Sequence, residues 1–442
     1  MATELTDELP SWPRVAIFAV GGLLGGIVGG LLVVAVVCAL KVMLEFVSAQ
    51  DTWVLIVMPV IGLALASLLL NGFGRRAPAT TDDSRPRKSW RSWPPGAIPA
   101  DITGDVQSCA GREERMPWRL APLRLGAIFA TVGSGAAMGT EAPAAYLASA
   151  AGAAVCDRVG KCRRLLRPAV LGGGAAGVAA LMAIPLVGTA YVLEIGRRNG
   201  APFSLERVIA ALIGGFVGWK INDALDLDLI RLVVPKVPPY SIREGVVTAL
   251  CIGVLAGAIT ALAAAAIYRA KDWRAHPAVR VAVGGLASIA VALLLVHVAG
   301  PAAAVGPGGG AIVWAESVDA LPLTLLAVAL LRAAITTAAT AAGGCGGVFV
   351  PFLATGDIGG RVFAPILGIG NDLAGAAGAA AGIAGGYHLP LTAVAMVIGV
   401  GGPRLSTLTC LATVLVAWLV GLAVATGVDR LERAWRARRR SN

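Results

Sequence analysis

The sequence predicts an all-α integral membrane protein whose helices are numerous, tilted and in several places broken. Of the 442 residues, 57% are hydrophobic and 14% are charged, a composition too apolar for a soluble chain of this length. The 57 glycines and 25 prolines fall largely inside the apolar segments. An irregular backbone persists at membrane depth only where protein or a wet cavity satisfies its polar groups. This combination is typical of a channel or a transporter.

Four apolar stretches are predicted to span the bilayer. They cover residues 15–40, 54–70, 246–267 and 281–298, and a spanning helix needs roughly 20 residues. The first stretch contains GGLLGGIVGG at 21–30. We interpret this run as a helix-packing surface rather than a site, because glycine lets helices approach closely.

The net charge of +11 is better explained by lipid orientation than by nucleic acid binding. The basic residues form three clusters, at 75–91, 161–167 and 433–440. By the positive-inside rule these clusters share the cytoplasmic side, and we expect both chain termini there as well.

Neither a metal site nor a cofactor is expected. The seven cysteines form no CxxC pair, and the three histidines share no ligand spacing. The N-terminus carries Glu4, Asp7 and Glu8 in place of the cationic region of a signal peptide, so the first helix is expected to remain in the mature protein. A membrane enzyme would need a nucleophile or a metal cluster, which the sequence does not offer.

The chain has one long polar linker, and we use it to divide the sequence. We expect N-terminal transmembrane helices over residues 1–76 and a basic cytoplasmic linker over 77–95. A first repeat half then covers 96–225, and a second half covers 226–442 and ends in a basic tail. No soluble C-terminal domain is expected.

Two pairs of segments indicate that the halves are related. The stretch AGVAALMAIPLVG at 176–188 recurs as AGIAGGYHLPLTA at 381–393, and TEAPAAYLASAAG around Pro143 pairs with FVPFLATGDIGG around Pro351. Subtracting paired positions gives offsets of 205 and 208, which favours a repeat of half a protein. Interrupted segments at matching places point to a transport site. The alternative is that small-residue runs resemble each other by chance.

A helix that starts in mid-membrane can bind an anion reversibly. Its backbone N–H groups and its dipole, equivalent to about half a charge, stabilise an anion without a permanent cation. Such a start needs glycine for close approach and proline near the first turn. The sequence has two such starts, GTEAP at 139–143 and GGVFVP at 346–351, and a third candidate, PGAIP at 95–99.

These three segments resemble, in the same order, the motifs GSGIP, GxEGP and GGxFxP of the CLC family of chloride channels and proton-coupled chloride antiporters. The resemblance extends over residues 133–152, 176–194 and 306–351. It implies an inverted repeat of broken helices and a homodimer with one pore in each subunit. It also implies transport of chloride or another small anion, with or without protons, across a bacterial inner (plasma) membrane.

The resemblance also assigns roles to residues. Glu141 matches the family's gating glutamate, whose carboxylate occupies the outer anion site and moves away on protonation. An acidic residue in an apolar segment is a functional candidate in any case. The residues implied in anion binding lie in the three motifs: Gly139, Thr140, Ala142, Gly347, Val348, Phe349, Gly96 and Ile98.

Two departures from the family pattern concern the anion. Gly96 stands where the first motif has a serine, so that hydroxyl is absent. The family's C-terminal pore tyrosine would fall near Leu431 or Glu432, and neither is a tyrosine. Such departures fit either an altered anion preference, as in the fluoride-exporting members, or a weakly selective pore.

A third departure concerns the proton. Ile195 stands where the antiporters have the inner proton-relay glutamate. Glu194 either substitutes for it or faces a wet vestibule, and Asp357 either joins a proton pathway or pairs within the bundle. We therefore predict channel-like or weakly proton-coupled chloride transport, with a proton-coupled chloride or fluoride antiporter as the alternative.

Overall fold

The computed structural model describes residues 11–73, 102, 104–106, 116–198, 200–226, 242–401 and 408–441. Gly96, Ile98 and the basic linker at 77–95 lie outside these ranges. The longer helices before residue 227, numbered in chain order, are α1 (Ser11–Ser48), α2 (Thr52–Leu68), α3 (Ala121–Val132), α4 (Glu141–Arg158), α5 (Leu166–Met182), α6 (Pro185–Arg198) and α7 (Leu205–Ala224).

The second half of the chain is likewise helical. Its longer helices are α8 (Ile242–Lys271), α9 (Pro277–Ala299), α10 (Gly309–Ser317), α11 (Pro322–Ala341), α12 (Phe349–Arg361), α13 (Asn371–Tyr387), α14 (Pro390–Gly401) and α15 (Leu408–Ser441). Short helical turns at Pro301–Ala304 and Ala364–Leu367 accompany them.

Seven helical stretches in the described part of the chain are long and apolar enough to cross a membrane, and they include the four predicted from sequence. They are Trp12–Ser48, Thr52–Gly72, Gly160–Met182, Arg243–Lys271, Pro277–Ala299, Pro322–Ala341 and Leu408–Ala434. The other helices are shorter or interrupted. The prediction of an all-α membrane fold with broken helices is therefore confirmed.

The predicted repeat appears in the fold as two matching helix breaks. The residue after α5 is Ala183 (φ 56°), two residues before Pro185, and the residue after α13 is His388 (φ 53°), two residues before Pro390. Each pair is 205 positions apart by subtraction. A left-handed residue ends a helix, and the proline begins the next one. The sequence around 183 and 388 thus sets the same break in both halves.

Helix packing repeats in the same way. α1 packs on α5 and α7, and α8 packs correspondingly on α13 and α15. Small residues make this possible: a Cβ on Gly172 of α5 would lie 2.5 Å from the Cα of Gly22 in α1. The packing role predicted for residues 21–30 is confirmed. The bounds of the two halves, 96–225 and 226–442, remain predictions.

Candidate anion site

The two glycine motifs meet in one reciprocal backbone contact. The N–H of Gly139 donates to the carbonyl of Gly347 at 2.7 Å, and the N–H of Gly347 donates to the carbonyl of Gly139 at 2.7 Å. Gly139 lies two residues before α4, and Gly347 lies two residues before α12. The contact therefore brings the N-termini of two helices, one from each half, to the same place inside the protein.

The carboxylate of Glu141 lies at this junction, and its residue is 1% exposed. A Cβ on Gly347 would lie 2.5 Å from Glu141 Oε2, so the carboxylate fills the space that a side chain would take. The backbone N–H groups of Glu141 itself, Val350 and Thr140 lie near the carboxylate, yet neither oxygen has a hydrogen bond of good geometry within the described part of the chain. These amides act on the carboxylate mainly through their dipoles.

The structure gathers most of the predicted anion-binding residues around Glu141. Thr140 and Val348 are the residues that immediately precede α4 and α12, and Ala142 and Phe349 belong to their first turns. Gly139 and Gly347 form the contact between the motifs. Their roles in anion binding remain predictions.

Val350 was missed by the sequence reasoning, which placed the amide donors at Val348 and Phe349. Its N–H faces Glu141, and the next residue, Pro351, has no N–H to offer. The signal was available, since the second residue of a helix that begins at Phe349 carries one of the unsatisfied first-turn amides.

The loops that carry the motifs are held by specific hydrogen bonds. Thr131 Oγ1 of α3 accepts from the N–H of Cys345 at 3.0 Å, just before the GGVFVP motif. The carbonyl of Gly135, just before the GTEAP motif, accepts from the N–H of Gly306 at 2.8 Å. These bonds tie each motif loop to a separate part of the bundle, so the junction is held from two sides.

A buried arginine supports the second of these anchors. Arg332 of α11 is fully buried, and its guanidinium donates to the carbonyls of Ala303 at 3.2 Å and Gly306 at 2.7 Å. Within the described residues it has no carboxylate partner. An uncompensated cation inside a membrane protein is costly and raises the local potential in favour of anions. The sequence did contain a signal for this buried cation, since Arg332 is the one charged residue of α11.

A second buried arginine connects α3 with α4. Arg124 is fully buried and pairs with Asp105. Its guanidinium carbon also lies 4.8 Å from the centre of the Tyr146 ring, five residues after Glu141. A cation over an aromatic face is attracted to it. Arg124 therefore holds Tyr146, and with it the part of α4 that follows Glu141.

Glu194 caps another helix. Its carboxylate accepts hydrogen bonds from the N–H of Leu391 at 2.6 Å, from the N–H of Thr392 at 2.7 Å and from the Thr392 hydroxyl at 2.6 Å. Leu391 and Thr392 lie in the first turn of α14, where amides have no partner within the helix. The carboxylate is therefore engaged in joining α6 to α14, and its role in proton transfer stays a prediction.

Asp357 pairs with Arg361 one turn further along α12, with an Nε to Oδ1 distance of 2.6 Å. Arg361 also contacts Glu316 at 3.0 Å and Asp372 at 3.2 Å. Asp357 is 1% exposed, so it lies at the buried end of a network of one arginine and three carboxylates. Its place on a proton pathway remains a prediction.

Comparison with known proteins assigns the chain to a family. The model of the voltage gated chloride channel family matches residues 89–425, which is most of the chain and includes both glycine motifs. The chain belongs to this family. It is accordingly an integral membrane protein of an anion-transporting family whose members are channels and transporters.

The curated relatives of the chain include H(+)/Cl(−) exchange transporters named ClcA. The protein from Yersinia pestis bv. Antiqua (strain Angola) is 26% identical over 333 residues, which are 70% of this chain and 68% of the relative. The protein from Vibrio parahaemolyticus is 26% identical over 322 residues, covering 69% of this chain and 68% of the relative.

Solved structures of the family share the fold. A CLC-type fluoride/proton antiporter has a TM-score of 0.72 at 22% identity, covering 95% of this chain and 98% of its own. A slow cyanobacterial Cl−/H+ antiporter has a TM-score of 0.70 at 21% identity, covering 94% of each chain. At these identities the likeness concerns the fold alone.

Proposed function

We propose that the protein transports chloride or a similar small anion across a membrane, with Glu141 as the gate. The observation that carries this proposal is the position of the Glu141 carboxylate between Gly139 and Gly347, at the N-termini of two helices. No counter-ion holds the carboxylate there among the described residues. A negative group that only backbone amides attract can be replaced by a mobile anion of the same charge.

Protonation is the event that opens such a gate. The ionised carboxylate competes with the anion for the same amide dipoles, and it has the advantage of being covalently attached. A proton removes its charge and most of its attraction to the helix N-termini. The neutral side chain then leaves the site to the anion, so anion flux should increase as the pH falls.

Channel-like or weakly proton-coupled transport is the form we favour. Coupling needs a route by which protons reach Glu141 from the inner side, and the position of the relay glutamate holds Ile195. The hydrogen bonds of Glu194 with α14 and the ion pair of Asp357 with Arg361 support weak coupling, because both carboxylates already have partners.

A proton-coupled chloride or fluoride antiporter is the second candidate. It is favoured by the names of the relatives, which are H(+)/Cl(−) exchange transporters, and by the fluoride/proton antiporter among the structures of the same fold. The two candidates differ in one observable. An antiporter uses an anion gradient to move protons uphill, whereas a channel does not.

Reconstituted vesicles distinguish these possibilities. We would measure chloride and fluoride efflux together with proton uptake for the wild type, for Glu141→Gln and for Glu45→Gln, a matched change at an exposed position of α1. We expect pH-dependent anion efflux in the wild type and Glu45→Gln, and pH-independent efflux in Glu141→Gln. Unchanged pH dependence in Glu141→Gln would refute the gate, and strong uphill proton movement in the wild type would favour the antiporter.

We further propose that the protein is a homodimer in a bacterial plasma membrane, with the basic linker and the basic end of α15 in the cytoplasm. The family resemblance supports the dimer, and the concentration of arginine in these segments supports the orientation. A cysteine introduced into the linker should react with an impermeant reagent only after the cells are permeabilised. Labelling of the cysteine in intact cells would indicate the opposite orientation.

A further inference from the structure

Four aromatic rings cluster beside the start of α12. Phe349, the first residue of that helix, contacts Tyr191 of α6 with ring centres 6.4 Å apart and Tyr387 of α13 with ring centres 5.6 Å apart. Phe352 contacts Tyr387 at 5.9 Å. All three pairs meet edge to face, the arrangement in which the positive edge of one ring approaches the negative face of another.

Tyr387 differs from the other three rings in its exposure. Tyr191, Phe349 and Phe352 are each at most 3% exposed, whereas Tyr387 is half-buried. It is therefore the most exposed residue of this cluster. Phe349, which the Tyr387 ring contacts, also belongs to the helix start that carries the anion-site candidates.

The position of Tyr387 is fixed by the helix break that follows it. α13 ends at Tyr387, and His388 takes the left-handed conformation. On the other side of the break, Glu194 of α6 holds the first turn of α14. One turn along α6, Arg198 Nη1 donates to the carbonyl of Tyr387 at 2.5 Å. Two charged residues of one helix thus clamp both sides of the break and hold the ring against Phe349.

The cationic residue of this clamp is Arg198, which is exposed and ends α6 one turn after Glu194. Its guanidinium, next to the Tyr387 carbonyl, can attract anions. The edge of an aromatic ring is also mildly favourable to an anion, because the ring quadrupole is positive there.

We propose that Tyr387 forms a wall of the anion pathway next to Phe349 and that the size of its ring limits both the rate and the selectivity of anion passage. This inference rests on the proposed transport function. It assigns a determinant of selectivity to the break between α13 and α14, outside all three glycine motifs. A smaller side chain at this position would widen the passage, and a larger one would close it.

A size series at this position tests the proposal. Tyr387→Ala, Tyr387→Phe and Tyr387→Trp would be reconstituted, and the efflux of fluoride, chloride and nitrate would be measured. We expect Tyr387→Ala to raise chloride efflux about tenfold, equivalent to lowering a barrier by about 1.4 kcal/mol, and to reduce discrimination among the three anions. Tyr387→Phe should stay close to the wild type, and Tyr387→Trp should slow efflux.

Tyr268→Ala is the matched control, since this tyrosine lies on α8 and is 56% exposed. It should leave both rate and selectivity unchanged. The proposal is overturned if wild-type efflux occurs and the three Tyr387 variants share its rate and its anion preference. It is also overturned if Tyr387→Ala lowers efflux in proportion to a loss of folded protein, measured by thermal unfolding in detergent. Absence of anion efflux from the wild type would instead refute the proposed function itself.

Discussion

The backbone N–H groups of Gly139 and Gly347 each donate a hydrogen bond to the other residue's carbonyl oxygen, and both nitrogen-to-oxygen distances are 2.7 Å. They are 208 positions apart by subtraction, the same offset that relates Pro143 to Pro351. Equivalent residues of two related halves can form such a reciprocal contact only where a local two-fold axis passes between them. The anion-site candidate thus lies on the axis that relates the halves, where both contribute a helix N-terminus.

The space beside this contact gives the first prediction. A methyl group in Gly347→Ala would lie 2.5 Å from Glu141 Oε2, so the carboxylate has to leave its position. We expect faster anion efflux with a weakened response to pH. Gly160→Ala is the control, because a Cβ there meets nothing within 4 Å. If Gly347→Ala keeps the wild-type pH response, the carboxylate does not need this space for gating.

Arg332 gives the second prediction. It is a buried cation that only carbonyl groups hold among the described residues, and its positive potential should favour an anion in the site. We expect Arg332→Gln to weaken chloride binding about tenfold, equivalent to about 1.4 kcal/mol, measured by titration calorimetry. Arg332→Lys keeps the charge and should lose less chloride affinity than Arg332→Gln. Equal losses in the two variants would mean that Arg332 acts only by holding the 303–306 segment.

The network around Arg361 gives a prediction about stability. Arg361→Met would leave Asp357 buried without its cation, and we expect a loss of about 3–5 kcal/mol together with a lower melting temperature in detergent. Asp357→Asn should reduce the stability less than Arg361→Met, because Glu316 and Asp372 still pair with Arg361. Anion efflux per folded molecule should stay unchanged in Asp357→Asn. Loss of proton movement without loss of stability would instead make Asp357 a proton carrier.

Glu194 is predicted to act as a cap. Glu194→Ala removes the acceptor for two first-turn amides of α14 and should cost about 1–2 kcal/mol of stability. Glu194→Gln keeps one acceptor oxygen and should cost less. Proton and anion fluxes of folded Glu194→Gln should match the wild type. A selective loss of proton flux in that variant would assign Glu194 to the proton route.

The features that could be predicted from sequence were those with a local signal. Glycine and proline mark helix starts and ends, so the motifs around Glu141 and Phe349, and the breaks at Pro185 and Pro390, were visible in the chain. Their recurrence at similar offsets of 205 and 208 also indicated the relation between the halves, because two related halves share their helix breaks.

The features that escaped prediction depend on contacts between distant segments. Glu194 accepts from residues 197 and 198 positions away, and nothing near it in sequence marks it as a cap. Tyr387 meets Phe349 only because α13 and α12 pack together. The lack of a carboxylate beside Arg332 among the described residues is likewise a property of its neighbours in space. Periodicity and motifs carry no information on such pairs.

The central claim is that the Glu141 carboxylate and the transported anion compete for one site. The most direct measurement is the chloride affinity of the wild type and of Glu141→Gln across a range of pH, by titration calorimetry in detergent. We expect wild-type affinity to weaken as the pH rises, because the carboxylate ionises and occupies the site, whereas Glu141→Gln should bind chloride equally well throughout. A wild-type affinity that is independent of pH, or a Glu141→Gln affinity that falls with rising pH as in the wild type, would contradict the claim.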